Sequence, residues 1–170
     1  PIIVWNHRWE HDKNPEEFFQ ALHQLDERDI DFQLIVLGQS FNRCPDCFKK
    51  AQVQFKGRLV HFGFADTYQH YAELLGIGDI VISTAIHEFF GIAVIEAVRA
   101  GCVPLLPSRL SYPELFDSRF LYQEGSLSRS LETLIHNNKR LAQAEARVLT
   151  ERYSWQKVAG DYEDWMFGEV

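Results

Sequence analysis

The segment HEFFGIAVIEAVRAG, residues 87–101, carries two carboxylates, Glu88 and Glu96, with seven residues between them. Gly91 lies between the acids and Gly101 closes the segment. Glu88 reads as a loop residue. Gly91, lacking a Cβ, lets the backbone come close to a ligand. Ile92 to Ala100 read as a short helix that Gly101 ends. The start of such a helix offers unpaired amides and the positive end of its dipole to an anion. Glu96, about one turn further in, can face the same ligand. Amides for a phosphate, with an acid nearby for sugar hydroxyls, describe a nucleotide-sugar site.

Glu96 stands among Ile92, Val94, Ile95 and Val98. A freely solvated helix face does not have those neighbours, and an unpaired buried carboxylate is costly. A ligand or a partner group is therefore expected for it. A carboxylate accepts well from the 2′- and 3′-hydroxyls of a ribose, a role suited to Glu96. Glu88, between His87 and two phenylalanines, is the candidate for contact with a transferred sugar.

Three further constellations can carry chemistry. In NHRWEHDKN, residues 6–14, Arg8 and Lys13 can neutralise a diphosphate, Arg8 through its bidentate fork and Lys13 as a point charge. That could replace a metal ion, and no DxD-like pair of metal-binding acids is evident. Both cations also read as solvated loop charges beside Glu10 and Asp12. In HFGFAD, residues 61–66, Gly63 permits close backbone approach, Phe62 or Phe64 can contact a base, and Asp66 can accept from the N1–H and N2–H of a guanine. The same residues also read as core phenylalanines with Asp66 as a helix cap. In SYPELF, residues 111–116, Glu114 either lines the acceptor side or caps a helix. Cys44 and Cys47 form a lone CxxC for which His61 and His70 are loose zinc partners; incidental thiols are the simpler reading.

The elements that must hold these groups alternate strand and helix. Apolar runs at 1–6, 32–38, 58–62, 79–83 and 102–106 read as strands, with a last short one at 119–122. Asn14 as cap, Pro15 at the first position and Glu16 and Glu17 behind them start a helix in which Phe18, Phe19, Leu22 and Leu25 recur at helical spacing. Further helices are expected at 48–55, from a cap at Asp66 through Leu75, at 92–100, at 126–137, at 138–151 and at 154–166. This order predicts βαβ units and an α/β architecture, a Rossmann-like doubly wound parallel sheet. In such sheets ligands bind beyond the C-terminal strand ends, where Arg8, Gly38, Gly63 and Glu88 all fall.

The bulk numbers agree with one domain. The chain has 170 residues, 46% of them hydrophobic, with thirteen Phe and four Trp, enough for a sizeable core. A net charge of −7 argues against a broad basic nucleic-acid surface. Three cysteines fit a reducing compartment, and no apolar run approaches the roughly 20 residues that span a bilayer. A cytoplasmic protein is expected. The chain opens in a strand, which suggests a piece of a longer protein.

The set, in its order, resembles the C-terminal domain of the GT-B glycosyltransferases of family 4, also called group 1. The resemblance rests on Arg8 and Lys13 after the first strand, on Ser83, Glu88 and Gly91, on Glu88, Glu96, Ala97 and Gly101, and on Pro113-Glu114. It covers nearly the whole chain, through Tyr153-Ser154-Trp155. Asn14 departs from the pattern, standing where many members have Gly. The stretches WNHRWEHDKNPEEFF, ISTAIHEFFGIAVIEAV and YPELF resemble a narrower group, the tRNA-queuosine mannosyltransferase-like proteins. The resemblance implies retaining hexosyl transfer from a nucleotide sugar, GDP-mannose or a UDP-sugar, with no metal required. It implies that Arg8, Lys13 and the amides of Gly91, Ile92 and Ala93 hold the departing diphosphate, that Glu96 anchors ribose, and that Glu88 orients the sugar. Gly63, Phe64 and Asp66 complete the expected donor site. A tRNA acceptor bound through an N-terminal domain outside this chain is the expected partner. A nucleotide-sugar epimerase, a glycan phosphorylase and a non-catalytic nucleotide-binding module remain the rival readings.

Overall fold

In the computed structural model of the chain, residues 1–39, 44–137 and 139–168 are described. Six parallel strands form one sheet: β1 (Ile2–Asn6), β2 (Gln33–Leu37), β3 (Leu59–Gly63), β4 (Ile80–Ile82), β5 (Val103–Pro107) and β6 (Leu121–Tyr122). Their spatial order is β3-β2-β1-β4-β5-β6. The chain builds outward from β1 in one direction and then, from β4, in the other. The crevice between β1 and β4 is thus the switch point at which ligands bind in doubly wound sheets.

The strands are apolar because both faces are covered. Ile3 and Trp5 face one core with Leu34, Val36, Ile80 and Ile82. Helices α1 (Pro15–Asp26), α2 (Cys47–Gln54) and α6 (Leu127–Asn137) pack there through Phe18, Leu22, Phe48 and Leu131. Val4, between Ile3 and Trp5, faces the opposite core with Ile35, Leu37 and Val81. Helices α3 (Tyr68–Ile77) and α4 (Ile92–Arg99) cover that side through Leu74, Leu75, Val94 and Val98. The short α5 (Tyr112–Leu115), α7 (Gln143–Thr150) and α8 (Trp155–Phe167) complete the chain.

Several boundaries move from the sequence reading. Asp66 is not a helix cap; Thr67 is, its Oγ1 accepting from the His70 amide at 3.1 Å. Helix α3 then runs past Leu75 to Ile77. Arg119 and Phe120 belong to a 3-10 turn, and only Leu121 and Tyr122 pair with β5. The helix expected at 138–151 begins at Gln143, and residue 138 lies outside the described residues. Among the described residues no helix is long and apolar enough to cross a membrane.

Candidate functional site

The loop after β4 carries Glu88 and is pinned from three directions. From below, the Tyr112 hydroxyl donates to Ser83 Oγ at 2.7 Å and the Tyr122 hydroxyl to the Ser83 carbonyl at 3.0 Å. From the side, Arg109 donates to the carbonyls of Thr84 and Ala85, both at 3.1 Å. From the β1 side, the amides of Ile86 and His87 donate to the Asp12 carbonyl, and Thr84 Oγ1 donates to the Lys13 carbonyl at 2.8 Å. Ser83, Thr84 and Ala85 are buried, so the bonds made to them satisfy polar groups that burial would otherwise leave costly.

Lys13 reaches this loop because a 3-10 turn over His11–Lys13 swings it in. The turn ends at Asn14, whose φ of +50° is the left-handed conformation that Gly adopts freely and Asn tolerates best among other residues. The Asn14 side chain does not cap α1; its Nδ2 donates instead to Glu17 Oε2 at 2.6 Å. The Lys13 ammonium donates to the His87 carbonyl at 2.7 Å and to Glu88 Oε2 at 3.2 Å, with Asp12 Oδ2 at 3.4 Å. Glu88 Oε1 accepts from the amides of Phe89, Phe90 and Gly91 at 3.0, 3.4 and 3.2 Å. Partial burial opposes ionisation of Glu88. The Lys13 ammonium and the loop amides outweigh it and hold its carboxyl below the ordinary value of 4.5.

Gly91 opens α4 at φ +89°, and a Cβ there would stand 3.1 Å from the Tyr112 ring. Its amide is already taken by Glu88. Of the three amides that the resemblance assigns to a diphosphate, those of Ile92 and Ala93 remain at the helix start, where no intrahelical acceptor exists. Glu96 is half-buried on α4, and its Oε2 accepts from the Tyr71 hydroxyl at 2.9 Å. Its expected partner is thus a phenol from α3. Asn6, at the end of β1, donates through Nδ2 to the Tyr71 hydroxyl at 3.0 Å and to the Ala93 carbonyl at 2.7 Å. Burial, with the Glu96 carboxylate beside it, pushes the Tyr71 phenol up, so it stays protonated.

Two clefts open along this edge. The first encloses about 530 Å³ and is lined by Asn6, His7, Arg8, Phe64, Asp66 and Tyr71, among others. The second, of about 730 Å³, is lined by Ile92, Glu96 and Phe90 and by Trp155 at the start of α8. Tyr68 and Tyr71 belong to both and form the wall between them. Arg8 is exposed at the first cleft, its guanidinium 3.3 Å from Glu10 Oε2. Phe64 is exposed there and is not core, as is Asp66. Gly63 does not line either cleft; its carbonyl accepts from the Gly38 amide at 3.1 Å. Glu114 faces a separate depression with Arg152. Cys44 and Cys47 are free thiols, and burial together with the nearby Glu16 pushes Cys47 up to about 12.

The fold therefore gathers Arg8, Phe64 and Asp66 on one cleft and Ile92 and Glu96 on its neighbour. Lys13 is set against Glu88 rather than in either cleft. Asn6 and Tyr71 escaped the sequence reading. Asn6 had a signal, as the one polar residue of an apolar strand; Tyr71 had none beyond helical spacing.

Comparisons with known proteins bear on this edge. The family model described as Glycosyl transferases group 1 matches residues 1–150. The chain is similar to the tRNA-queuosine alpha-mannosyltransferase of Drosophila melanogaster, with 42% identity over 139 residues, 82% of this chain and 36% of that protein. It is 22% identical over 163 residues to the GDP-mannose-dependent alpha-(1-6)-phosphatidylinositol dimannoside mannosyltransferase of Mycobacterium tuberculosis, covering 93% of this chain and 42% of that one. The chain thus spans less than half the length of these relatives. The crystal structure of Anabaena HepE in complex with UDP superposes with a TM-score of 0.77 at 16% identity, over 97% of this chain and 48% of that one. That likeness concerns the fold, a Rossmann-like α/β sheet of the kind found in GT-B glycosyltransferases.

Proposed function

This chain belongs to the glycosyl transferases of group 1, and from that premise we propose that it forms the donor-binding part of an enzyme moving mannose from GDP-mannose to the queuosine of a tRNA. The donor is supported by the names of the mannosyltransferase relatives, and the acceptor by the 42% identity to the fly protein. The observation that carries the site is that two clefts meet at Tyr71, one lined by the exposed Arg8 and the other by Ile92 at the start of α4 and by the anchored Glu96 carboxylate.

In this reading the base lies in the first cleft against Phe64, with Asp66 as acceptor for the guanine edge. Glu96 takes the ribose hydroxyls. Arg8 and the Ile92 and Ala93 amides receive the charge that develops on the diphosphate as the anomeric C–O bond breaks, the role of preorganised donors in leaving-group stabilisation. Lys13 holds Glu88 and the loop in place, and reaches the diphosphate when that ion pair opens. Glu88 then becomes available to orient the sugar. The acceptor hydroxyl bonds to the anomeric carbon on the face that the diphosphate leaves, and its proton passes to the departing phosphate. Charge neutralisation falls to Arg8, Lys13 and the amides, without a metal ion. The acceptor is gripped mainly by an N-terminal domain.

The test is transfer by the full-length protein from GDP-mannose labelled in the sugar. Label is expected in queuosine-containing tRNA and absent from tRNA lacking queuosine. Label moving only from a UDP-sugar would replace the donor. Label in neither RNA, with no nucleotide bound, would remove the reading. The 170-residue chain alone is expected to bind nucleotide and transfer nothing; transfer by it would contradict the two-part site.

A further inference from the structure

We propose that Tyr71, oriented by Asn6, is a positioning residue that sets the Glu96 carboxylate for the ribose diol, and so helps the site discriminate a ribonucleotide from a 2′-deoxynucleotide. The inference rests on the donor-site reading above. The directions of the hydrogen bonds are fixed. The Ala93 carbonyl can only accept, so the Asn6 amide must turn its nitrogen toward it, at 2.7 Å. The same nitrogen donates to the Tyr71 hydroxyl at 3.0 Å. The phenol has one proton, and it goes to Glu96 Oε2 at 2.9 Å. Flipping the amide would set two oxygens against each other at Ala93. The amide keeps its orientation although its buried Oδ1 has no partner.

The consequence reaches Glu96. A free glutamate side chain samples several rotamers, and ordering it on ligand binding costs free energy. The Tyr71 contact removes part of that cost beforehand. It also occupies one position on Oε2, leaving Oε1 and the remaining lone pair to accept from vicinal hydroxyls. The relay ties three elements together, since Asn6 ends β1, Tyr71 belongs to α3, and Ala93 and Glu96 belong to α4. Ala93 is also one of the two residues whose amides face the diphosphate in the proposed function. Ribose and diphosphate groups are therefore registered by one side chain, Asn6. The first cleft, proposed for the base, and the second, which contains Glu96, meet at Tyr71 itself.

The experiment compares GDP with 2′-deoxy-GDP by calorimetry on the wild type and on Tyr71→Phe. The wild type is expected to prefer GDP by about tenfold, the loss of one good hydrogen bond. Tyr71→Phe should cut that preference to about threefold or less, by weakening GDP while leaving 2′-deoxy-GDP nearly unchanged. A purely structural role would weaken both ligands alike, and an unchanged ratio overturns the proposal. Asn6→Ala keeps the phenol but removes its donor, and should give an intermediate ratio. If Tyr71→Phe does not fold, an unchanged ratio in Asn6→Ala overturns the proposal. A wild type that binds neither ligand, or binds both equally, overturns the ribose assignment of Glu96 and this inference with it. A wild-type preference kept in both variants overturns only the role of Tyr71.

Discussion

A buried lysine that ends on a carboxylate and a carbonyl leaves both unsatisfied when it is removed. Lys13→Ala should therefore destabilise the chain by about 1–3 kcal/mol, read as a lower denaturant midpoint with an unchanged slope. Glu88 adds a pH term of known sign. Its folded pKa is depressed, so its contribution is present above the unfolded value near 4.5 and fades as pH falls through the folded value. His7 acts at higher pH. Burial, aided by Lys13 against the pull of Glu88, lowers it from 6.5 to about 4. The folded state thus binds fewer protons, and stability falls as pH drops from about 6.5 toward 4. That is about 2–3 kcal/mol lost by pH 4.5, measured by urea unfolding at pH 7.5 and 4.5. His7→Gln should flatten the curve over that range. Arg8, Glu88 and Glu96 stand out in the sequence as candidates, Arg8 by its place after the first strand, the two acids by their spacing, and Glu96 also by its apolar neighbours. That Lys13 answers Glu88 across 75 residues, or Tyr71 answers Glu96, is a tertiary fact that spacing does not encode.

At the scale of elements, the end of β2 and the start of α4 depend on glycines for two different reasons. Gly38 has no room: a Cβ would lie 2.0 Å from the His7 carbonyl oxygen and 2.6 Å from the Trp9 indole. Gly38→Ala must push β1 and β2 apart where the first cleft opens, and more than about 2 kcal/mol of stability should be lost. Gly91 has some room but an unfavourable φ of +89°. Gly91→Ala should cost about 1 kcal/mol in stability, with a further fall in GDP affinity as the start of α4 shifts; calorimetry beside thermal melting separates the two. Strands and helices were readable from apolar runs and from the Asn14-Pro15 start. Their ends were less so. Asp66 and Thr67 are both acceptable caps by type, and only the geometry of the turn decides for Thr67.

For the whole molecule, strand order concentrates the chemistry. With β1 and β4 adjacent at the centre, the loops after them face each other, and residues 6–14 and 83–96 become one site although some 75 positions separate them. Alternating apolar runs predict a parallel sheet, but the order of six strands is not written in any one of them. The proposed function places a nucleotide diphosphate at this edge, with Glu96 on the ribose. The most direct measurement is titration of GDP, with UDP and ADP alongside, into the wild type and Glu96→Ala. The wild type should bind GDP saturably and the variant about 5- to 150-fold more weakly, the equivalent of 1–3 kcal/mol of lost hydrogen bonding. Equal affinity in the two proteins, or no binding of any of the three nucleotides to the wild type, would contradict it.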